Sequence, residues 1–198
     1  ELVAVEKPAW AVVHPTRGAA DAPVIVRILA AQISAPVFPV HRLDRQTSGV
    51  LLLAKSPAAA AAVSSEFREE RVRKTYLGLC RGAFVGPLRV DHPVPEGEVR
   101  RPGCTEVDPL EVLCNRYTFL RARPRSGRRH QIRYHLKHAT HPLVGDTEYG
   151  RGDINRFFRQ RFRLSRLFLH AETPRVLPPR EPRYLELASP LPVDLQSV

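Results

Sequence analysis

Hydrophobic residues are spaced along the chain in two ways, and each spacing predicts a different element. Alternating or continuous apolar runs predict strands at residues 2–5, 49–54, 74–79, 116–122 and 184–187. Helical spacing predicts helices at residues 23–33, 57–71 and 131–138. Short strands mixed with a few helices, without an internal repeat or an interdomain linker, predict one α+β domain over residues 1–198.

Residues 87–109 interrupt this pattern. Prolines, glycines and arginines are distributed through the whole segment. Because these residue types favour turns and solvated loops, we predict that the segment is rich in loops.

Composition narrows the class of protein. Hydrophobic residues make up 43% of the 198, which is enough for a packed core, and no apolar run reaches the roughly 18 residues of a membrane span. We therefore expect a soluble protein with no membrane partner. The chain begins at Glu1 and contains no methionine, so we also expect its N-terminus to be truncated.

The charge of the chain favours a polyanionic partner. Its 31 Lys and Arg residues outnumber 20 Asp and Glu, for a net charge of +11. No basic amphipathic helix with an aromatic face is evident, so nucleic acid is a better candidate than an acidic membrane. Arginines cluster at residues 121–129 and 151–166, where we expect nucleic-acid contact; an ordinary solvated surface is the alternative.

The cysteines and histidines do not indicate a metal site. Cys80, Cys104 and Cys114 are odd in number and lack CxxC spacing, so a disulfide framework or structural zinc is not expected and a reducing cytoplasm suits them. We interpret Cys80 as a small buried apolar residue. Four histidines lie close in sequence without an HExxH pattern, and we expect no metal there: His130, His135, His138 and His141.

The segment HRLDRQTSG, at residues 41–49, contains the strongest candidate for chemistry. Asp44 lies between Arg42 and Arg45, beside a predicted buried strand, and nearby positive charge favours an ionised carboxylate. Such a carboxylate can act as a nucleophile or a base. For an isolated aspartate a surface ion pair is the ordinary explanation. The choice between an ion pair and a chemical role therefore depends on the motifs in the rest of the chain.

Further motifs follow in order along the chain: KTY at residues 74–76, SGRRHQIR at 126–133, HPLVGD at 141–146 and LHA at 169–171. Together with HRLDRQTSG they resemble, over nearly the whole chain, the motifs of the RluA family of RNA pseudouridine synthases. The dipeptide RY at 116–117 and the segment GDTEYGRGDINRFFRQRF at 145–162 resemble the TruC-type tRNA pseudouridine synthases within that family.

The resemblance implies a fold and a reaction. The fold is a bent mixed sheet, largely antiparallel, with flanking helices and a central basic cleft. The reaction is the isomerisation of a uridine to pseudouridine in tRNA or ribosomal RNA after base flipping, without a cofactor. RNA is then the expected partner, with tRNA favoured, and a cytoplasmic monomer the expected state. A non-catalytic RNA-binding module is the alternative; a metal-dependent nuclease would need more clustered carboxylates than the chain offers.

The resemblance also implies roles for individual residues. Asp44 corresponds to the nucleophile, Arg133 to its charge partner, Tyr76 to the residue that stacks on the target base, and Arg42 to a residue that assists flipping. It does not decide whether Asp44 attacks C1′ or promotes formation of a glycal. Further residues are implied as RNA contacts or as structural neighbours of the site: Arg45, Arg128, Arg129, His130 and Gln131.

Overall fold

The computed structural model describes residues 1–16, 19–176 and 183–198. Its secondary structure is mixed α+β with mainly antiparallel strands, as predicted. The chain divides into two compact units, Glu1–Arg73 with Ala171–Ser189 and Lys74–His170 with Pro190–Val198. No helix within the described residues is long and apolar enough to cross a membrane.

The elements follow in chain order as β1 (Leu2–Lys7), α1 (Ile25–Gln32), β2 (Phe38–Pro39), β3 (Ser48–Ala54), α2 (Pro57–Arg68), β4 (Arg73–Arg81), β5 (Leu88–Asp91), β6 (Val94–Glu96), β7 (Val99–Arg101), β8 (Cys104–Leu113), β9 (Tyr117–Pro124), α3 (Gln131–His138), α4 (Gly152–Phe162), β10 (Leu169–Val176), β11 (Leu185–Glu186) and α5 (Val193–Gln196).

The sheet of the first unit is built around β3. Every residue of β3 is buried, as its continuous apolar run predicted, and the strand has neighbours on both edges. Strand β1 pairs with it antiparallel from Leu2 opposite Ala54 to Lys7 opposite Gly49, and β10 lies along its other edge. Helix α2 begins where the Ser56 hydroxyl accepts a hydrogen bond from the Ala59 N–H at 3.2 Å.

The second unit contains an antiparallel sheet in the order β4, β9, β8, β5. Buried and partly buried positions alternate along β9, as expected for a strand with one face on the core. Helix α3 contributes Ile132 and Leu136 to the cluster that also contains Leu120 and Val107. The predicted helix at residues 131–138 is therefore confirmed at both ends.

The prediction of loops over residues 87–109 is wrong, because this segment contains β5, β6, β7 and the first residues of β8. Its apolar side chains are sparse, and three of them face inward: Val90, Val94 and Val107 are buried. The arginines and acids occupy the outward positions, where Glu106 of β8 pairs with Arg125 at 2.5 Å. A strand with one solvated face can have many charged residues. The prolines and glycines of the segment made it resemble a loop, so its strands were not predicted.

Helix α4 was not predicted. Its apolar residues Ile154, Phe158 and Phe162 recur every four residues and pack into one core cluster with Phe168 and Leu195. Basic residues between them lower the apparent hydrophobicity of the segment, so the helical spacing was not recognised.

Candidate active site

Asp44 lies in the loop that connects β2 to β3 and is partly buried. The neighbouring Leu43 is buried, with 6% of its surface exposed. The Thr47 N–H donates to the Asp44 carbonyl at 3.1 Å, which closes a turn around the acid. Asp44 therefore lies at the start of a short turn immediately before a fully buried strand.

His41 fixes the start of this loop. Its Nε2 accepts a hydrogen bond from the Leu52 N–H of β3 at 2.9 Å, so that nitrogen carries no proton. Its ring is stacked on Phe67 of α2 with centroids 4.7 Å apart. The histidine of the HRLD motif thus ties the loop to both a strand and a helix.

Lys7 fixes the other side of the loop from a buried position. Its ammonium donates to the carbonyls of Pro8 at 2.9 Å, Ala11 at 2.9 Å and Arg45 at 3.3 Å. The Trp10 N–H donates to the same Arg45 carbonyl at 2.6 Å, and the Arg45 guanidinium lies 5.4 Å from the centroid of the Trp10 ring. A buried ammonium needs such partners, and here they hold the residue that follows Asp44.

Gly49 is required by the close packing of β3 against β10. Its φ is +116°, and a Cβ at this position would lie 2.1 Å from the Ala171 carbonyl oxygen. Only glycine can adopt this conformation and leave this space, which explains the glycine at the end of the HRLDRQTSG motif.

Tyr76, in the second unit, lies on β4 opposite Ala122 of β9. It is partly buried and packs against the core cluster that includes Leu120 and Ile132. Two residues earlier, Lys74 donates to the Ser126 carbonyl at 2.9 Å, which joins the KTY motif to the SGRRHQIR motif.

Gln131 organises the turn before α3. Its Oε1 accepts from the Ser126 hydroxyl at 2.7 Å and from the Arg128 N–H at 3.1 Å. Its Nε2 donates to the Cys104 carbonyl at 2.9 Å and approaches the Thr105 hydroxyl at 3.3 Å. Since Gln131 is 4% exposed, its position supports the structural role rather than direct RNA contact.

The three residues before Gln131 differ in their surroundings. Arg128 donates to the Pro102 carbonyl at 3.3 Å, whereas Arg129 is exposed. His130 has a left-handed backbone with φ 56°, and its Nδ1 lies 3.3 Å from the Tyr149 hydroxyl.

Arg133 forms a buried ion pair with Asp146. Arg133 Nε donates to Asp146 Oδ2 at 2.7 Å and Arg133 Nη2 to Oδ1 at 2.9 Å, while the two residues are 8% and 1% exposed. Burial by itself would raise the pKa of the Asp146 carboxyl, but hydrogen bonds from Arg133 and from the N–H groups of Tyr149 and Glu148 outweigh it and lower that pKa. Asp146 is thus an anion that orients Arg133.

Two further residues complete the surroundings of this pair. The Asn155 amide accepts from the Gly145 N–H at 2.8 Å and donates to the Asp146 carbonyl at 2.7 Å, which fixes the turn that carries Asp146. The Tyr149 ring lies 5.2 Å from the Arg133 guanidinium carbon. Burial, together with the neighbouring Glu148 carboxylate, raises the pKa of Tyr149 to about 12.

Comparison with known proteins shows the family of the chain. The RNA pseudouridylate synthase family matches residues 1–138, which include the HRLDRQTSG, KTY and SGRRHQIR motifs. The chain belongs to this family. The resemblance to RNA pseudouridine synthases is therefore confirmed, and the protein is an isomerase of this class.

The synthase is similar to bacterial proteins named tRNA pseudouridine synthase C. It is 36% identical over 198 residues to that of Pasteurella multocida strain Pm70, with 86% of this chain and 80% of the relative covered. It is 35% identical to that of Vibrio cholerae over 201 residues, with 90% and 82% covered. These likenesses agree with the resemblance to the TruC-type branch.

Solved structures show the same fold. Human RNA pseudouridylate synthase domain containing 1 superposes with a TM-score of 0.79 at 27% identity, covering 96% of this chain and 80% of that chain. Domain containing 4 gives a TM-score of 0.79 at 24% identity, covering 99% and 87%. The predicted pseudouridine synthase fold is confirmed by these neighbours.

Several arginines of the two predicted RNA-contact clusters have carboxylate partners inside the synthase. Arg123 pairs with Asp108, Arg151 with Asp153 at 2.9 Å, and Arg166 with Asp194 at 2.6 Å. Arg166 is only 3% exposed and attaches the C-terminal helix α5 to the second unit. The clusters are therefore mixtures of structural arginines and arginines that face solvent.

The histidines and Cys80 have structural surroundings. His135 is buried, with Nδ1 2.8 Å from the Thr105 hydroxyl and Nε2 2.9 Å from the His92 carbonyl, and burial lowers its pKa. Among the described residues no group of at least three His, Cys, Asp or Glu side chains could hold a metal ion. Cys80 is fully buried, as predicted, and burial raises the pKa of its thiol to about 12.

Sequence reasoning missed the residues that support the site. Asp146 was noticed only as part of the HPLVGD motif, and neither its bond to Arg133 nor the contribution of Asn155 was anticipated. Lys7 was seen only as the end of a strand. A lysine directly after an apolar strand and before a proline was the one available signal that this charge is buried.

Proposed function

We propose that the synthase converts a uridine of tRNA to pseudouridine. The observation that carries this proposal is the 34–36% identity to proteins named tRNA pseudouridine synthase C, over at least 86% of this chain. The net charge of +11 suits a polyanionic substrate.

In this proposal Asp44 is the nucleophile. The carboxylate attacks the target nucleotide as the bond between C1′ and N1 breaks, and N1 takes the electron pair. The uracil then turns so that C5 bonds to C1′, which releases the Asp44 carboxylate, and the C5 proton leaves to restore the aromatic ring while N1 gains a proton. Whether Asp44 adds to C1′ or promotes glycal formation by removing a proton is left open, since both routes give the same isomer. The balance of atoms is that of an isomerisation and requires no oxidant or hydrolytic water.

The anchoring of the Asp44 loop supports this role. His41 and Lys7 hold the residues on both sides of the acid, and Leu43 buries the backbone beside it. A nucleophile that is held before the substrate arrives loses less entropy in reaching the transition state. The same rigidity would be unnecessary for an aspartate that only forms a surface ion pair.

The other residues act on the flipped nucleotide in this proposal. Arg42, exposed next to the acid, fills the space that the uridine vacates, and Tyr76 stacks on the uracil. Flipping costs about a few kcal/mol, and stacking on an aromatic side chain is worth roughly 1–3 kcal/mol per base. Arg133, oriented by Asp146, is the charge partner of Asp44 in this proposal.

The remaining basic residues bind the RNA backbone in this proposal. Arg45, Arg128, Arg129 and His130 offer donors to phosphates, which position the RNA without reading its sequence. Gln131 contributes indirectly by holding the turn on which Arg128, Arg129 and His130 lie.

Tritium release from RNA transcripts containing [5-³H]uridine tests the choice of substrate. Release from a panel of tRNA transcripts, and none from ribosomal RNA transcripts, is the expected result. Release from ribosomal RNA alone would contradict the tRNA assignment and leave the chemistry intact. Tight RNA binding with no release from either substrate would contradict the catalytic proposal and favour the non-catalytic binding module.

A further inference from the structure

Helix α4 has an apolar face and a cationic face. Phe158 is buried, and Ile154 and Phe162 pack with it into the same cluster. Arg156 and Arg159 are exposed and three residues apart, so they share the opposite face; Arg163, the exposed C-cap, follows four residues later. We call Arg156, Arg159 and Arg163 the arginine stripe.

The arginine stripe is not neutralised within the part of the chain that the structure describes. Its members form no ion pair there, whereas Arg123, Arg151 and Arg166 each pair with a carboxylate. Like charges at this spacing destabilise a helix, and a polyanion that binds them removes that cost. The negative C-terminal end of the helix dipole favours Arg159 and Arg163, but it does not account for Arg156 in the middle of the helix.

The helix that carries the stripe is attached to the turn that orients Arg133. Asn155, beside Arg156, donates to the Asp146 carbonyl at 2.7 Å and accepts from Gly145 at 2.8 Å. Asp146 in turn holds Arg133 by two hydrogen bonds. A ligand bound along the stripe is thereby placed at a fixed distance from Arg133, all within the second unit.

We propose that the arginine stripe binds phosphates of the substrate RNA away from the target uridine, and so places the RNA body relative to Arg133. From Arg156 to Arg163 the stripe extends over seven residue steps, or about 10 Å at about 1.5 Å per residue, which suits a few phosphates of one strand. Guanidinium groups match phosphate oxygens by paired hydrogen bonds. The inference rests on the proposed function for the identity of the RNA.

The test compares two triple variants with the same change of net charge. R156Q/R159Q/R163Q removes the stripe, and R27Q/R68Q/R116Q removes three exposed arginines that form no ion pair within the described ranges. Equilibrium binding of a tRNA transcript is measured against KCl concentration. We expect the slope of log affinity against log salt to fall in magnitude by about 2–3 for the stripe variant, because each lost phosphate contact removes about 0.7–0.9, and by less than about 1 for the control.

The kinetic constants KM and kcat, together with a conservative variant, distinguish a loss of RNA binding from a loss of folded structure. We expect the stripe variant to raise KM and to leave kcat within about twofold, because the contacts are made equally in the ground and transition states. R156K/R159K/R163K keeps the charge and should retain most of the salt slope. If the triple variant does not fold, judged by circular dichroism, Arg156→Gln alone should lower the slope by about 1.

Equal slopes for the two triple variants would overturn the inference, as would a fall in kcat with unchanged RNA affinity. Different results would show that the stripe inference is wrong and that the proposed function is wrong. If the unchanged synthase releases tritium from tRNA and the stripe variant binds tRNA normally, only the stripe inference is wrong. If the stripe variant loses its salt slope but the unchanged synthase releases no tritium, the catalytic proposal is wrong and the RNA-binding surface stands.

Discussion

Arg133 and Asp146 are joined by two buried hydrogen bonds, from Arg133 Nε at 2.7 Å and from Arg133 Nη2 at 2.9 Å. The turn that presents Asp146 needs Gly145, whose φ is +78° and whose Cβ would lie 2.0 Å from the Arg166 carbonyl oxygen. The HPLVGD motif therefore has a physical explanation. It builds the turn whose carboxylate orients the arginine of the SGRRHQIR motif.

Removal of the Asp146 charge should destabilise the synthase strongly. Asp146→Asn leaves the Arg133 guanidinium buried with a neutral partner, and breaking a buried ion pair on one side costs about 3–5 kcal/mol. The free energy of unfolding, measured by urea titration, provides the check. Asp153→Asn is the matched control, because its partner Arg151 is exposed and such pairs are worth about 1 kcal/mol or less. Equal losses in the two variants would contradict the importance of the buried pair.

The same ion pair predicts a dependence of stability on pH. The pKa of Asp146 is lower in the folded state than in the unfolded chain, where an aspartate titrates near about 3.9. Its contribution to stability is therefore fully present above the unfolded value and is lost as the pH falls through the folded one. The difference in unfolding free energy between the unchanged synthase and Asp146→Asn should be constant from about pH 5 to 7 and should shrink below about pH 4. A difference that does not shrink at low pH would refute this assignment.

Two glycines offer a matched pair of substitutions. Gly49→Ala puts a Cβ 2.1 Å from the Ala171 carbonyl at a φ of +116°, so we expect a loss of more than about 2 kcal/mol in unfolding free energy. Gly86→Ala should change stability by less than about 0.5 kcal/mol, because nothing lies within 4 Å of its Cβ. Thermal and urea unfolding of both variants gives the comparison. A Gly49 variant as stable as the Gly86 variant would mean that β3 can move away from β10 without cost.

The proposed stacking role of Tyr76 predicts a difference between aromatic and aliphatic replacements. Tyr76→Phe keeps the ring and should retain kcat/KM within about threefold on tRNA. Tyr76→Leu keeps apolar packing against the core but loses the stack, which is worth roughly 1–3 kcal/mol, so kcat/KM should fall by about 5- to 150-fold. Equal activity of the Phe and Leu variants would show that the ring is only part of the core.

The elements that were predicted correctly are those whose burial follows one simple pattern. Strand β3 has a continuous apolar run, and α3 has apolar residues at Ile132 and Leu136 with a clear start and end. Strand β8 was missed because its outward positions hold Glu106 and Asp108, whose partners are Arg125, directly after β9, and Arg123 of β9. Those pairs are known only once the strands are placed side by side.

The residues of the candidate site also fall into two groups, those within a local motif and those joined across different motifs or elements. The sequence motifs predict roles for Asp44, Tyr76 and Arg133 because these residues lie inside recognisable local patterns. The bond between Asn155 and the Asp146 carbonyl, and that between Lys7 and the Arg45 carbonyl, join residues from different motifs or elements. A single sequence contains no information about such pairing, so the support of the site emerged only from the structure.

The most direct test of the account is single-turnover pseudouridine formation on a tRNA transcript by Asp44→Asn, with Asp21→Asn, an exposed aspartate of the first unit, as the control. We expect Asp44→Asn to bind tRNA as the unchanged synthase does and its rate to fall by at least about a thousandfold, because the amide cannot act as the nucleophile. The control should keep its full rate. A rate for Asp44→Asn within about tenfold of the unchanged synthase would contradict the central role of Asp44.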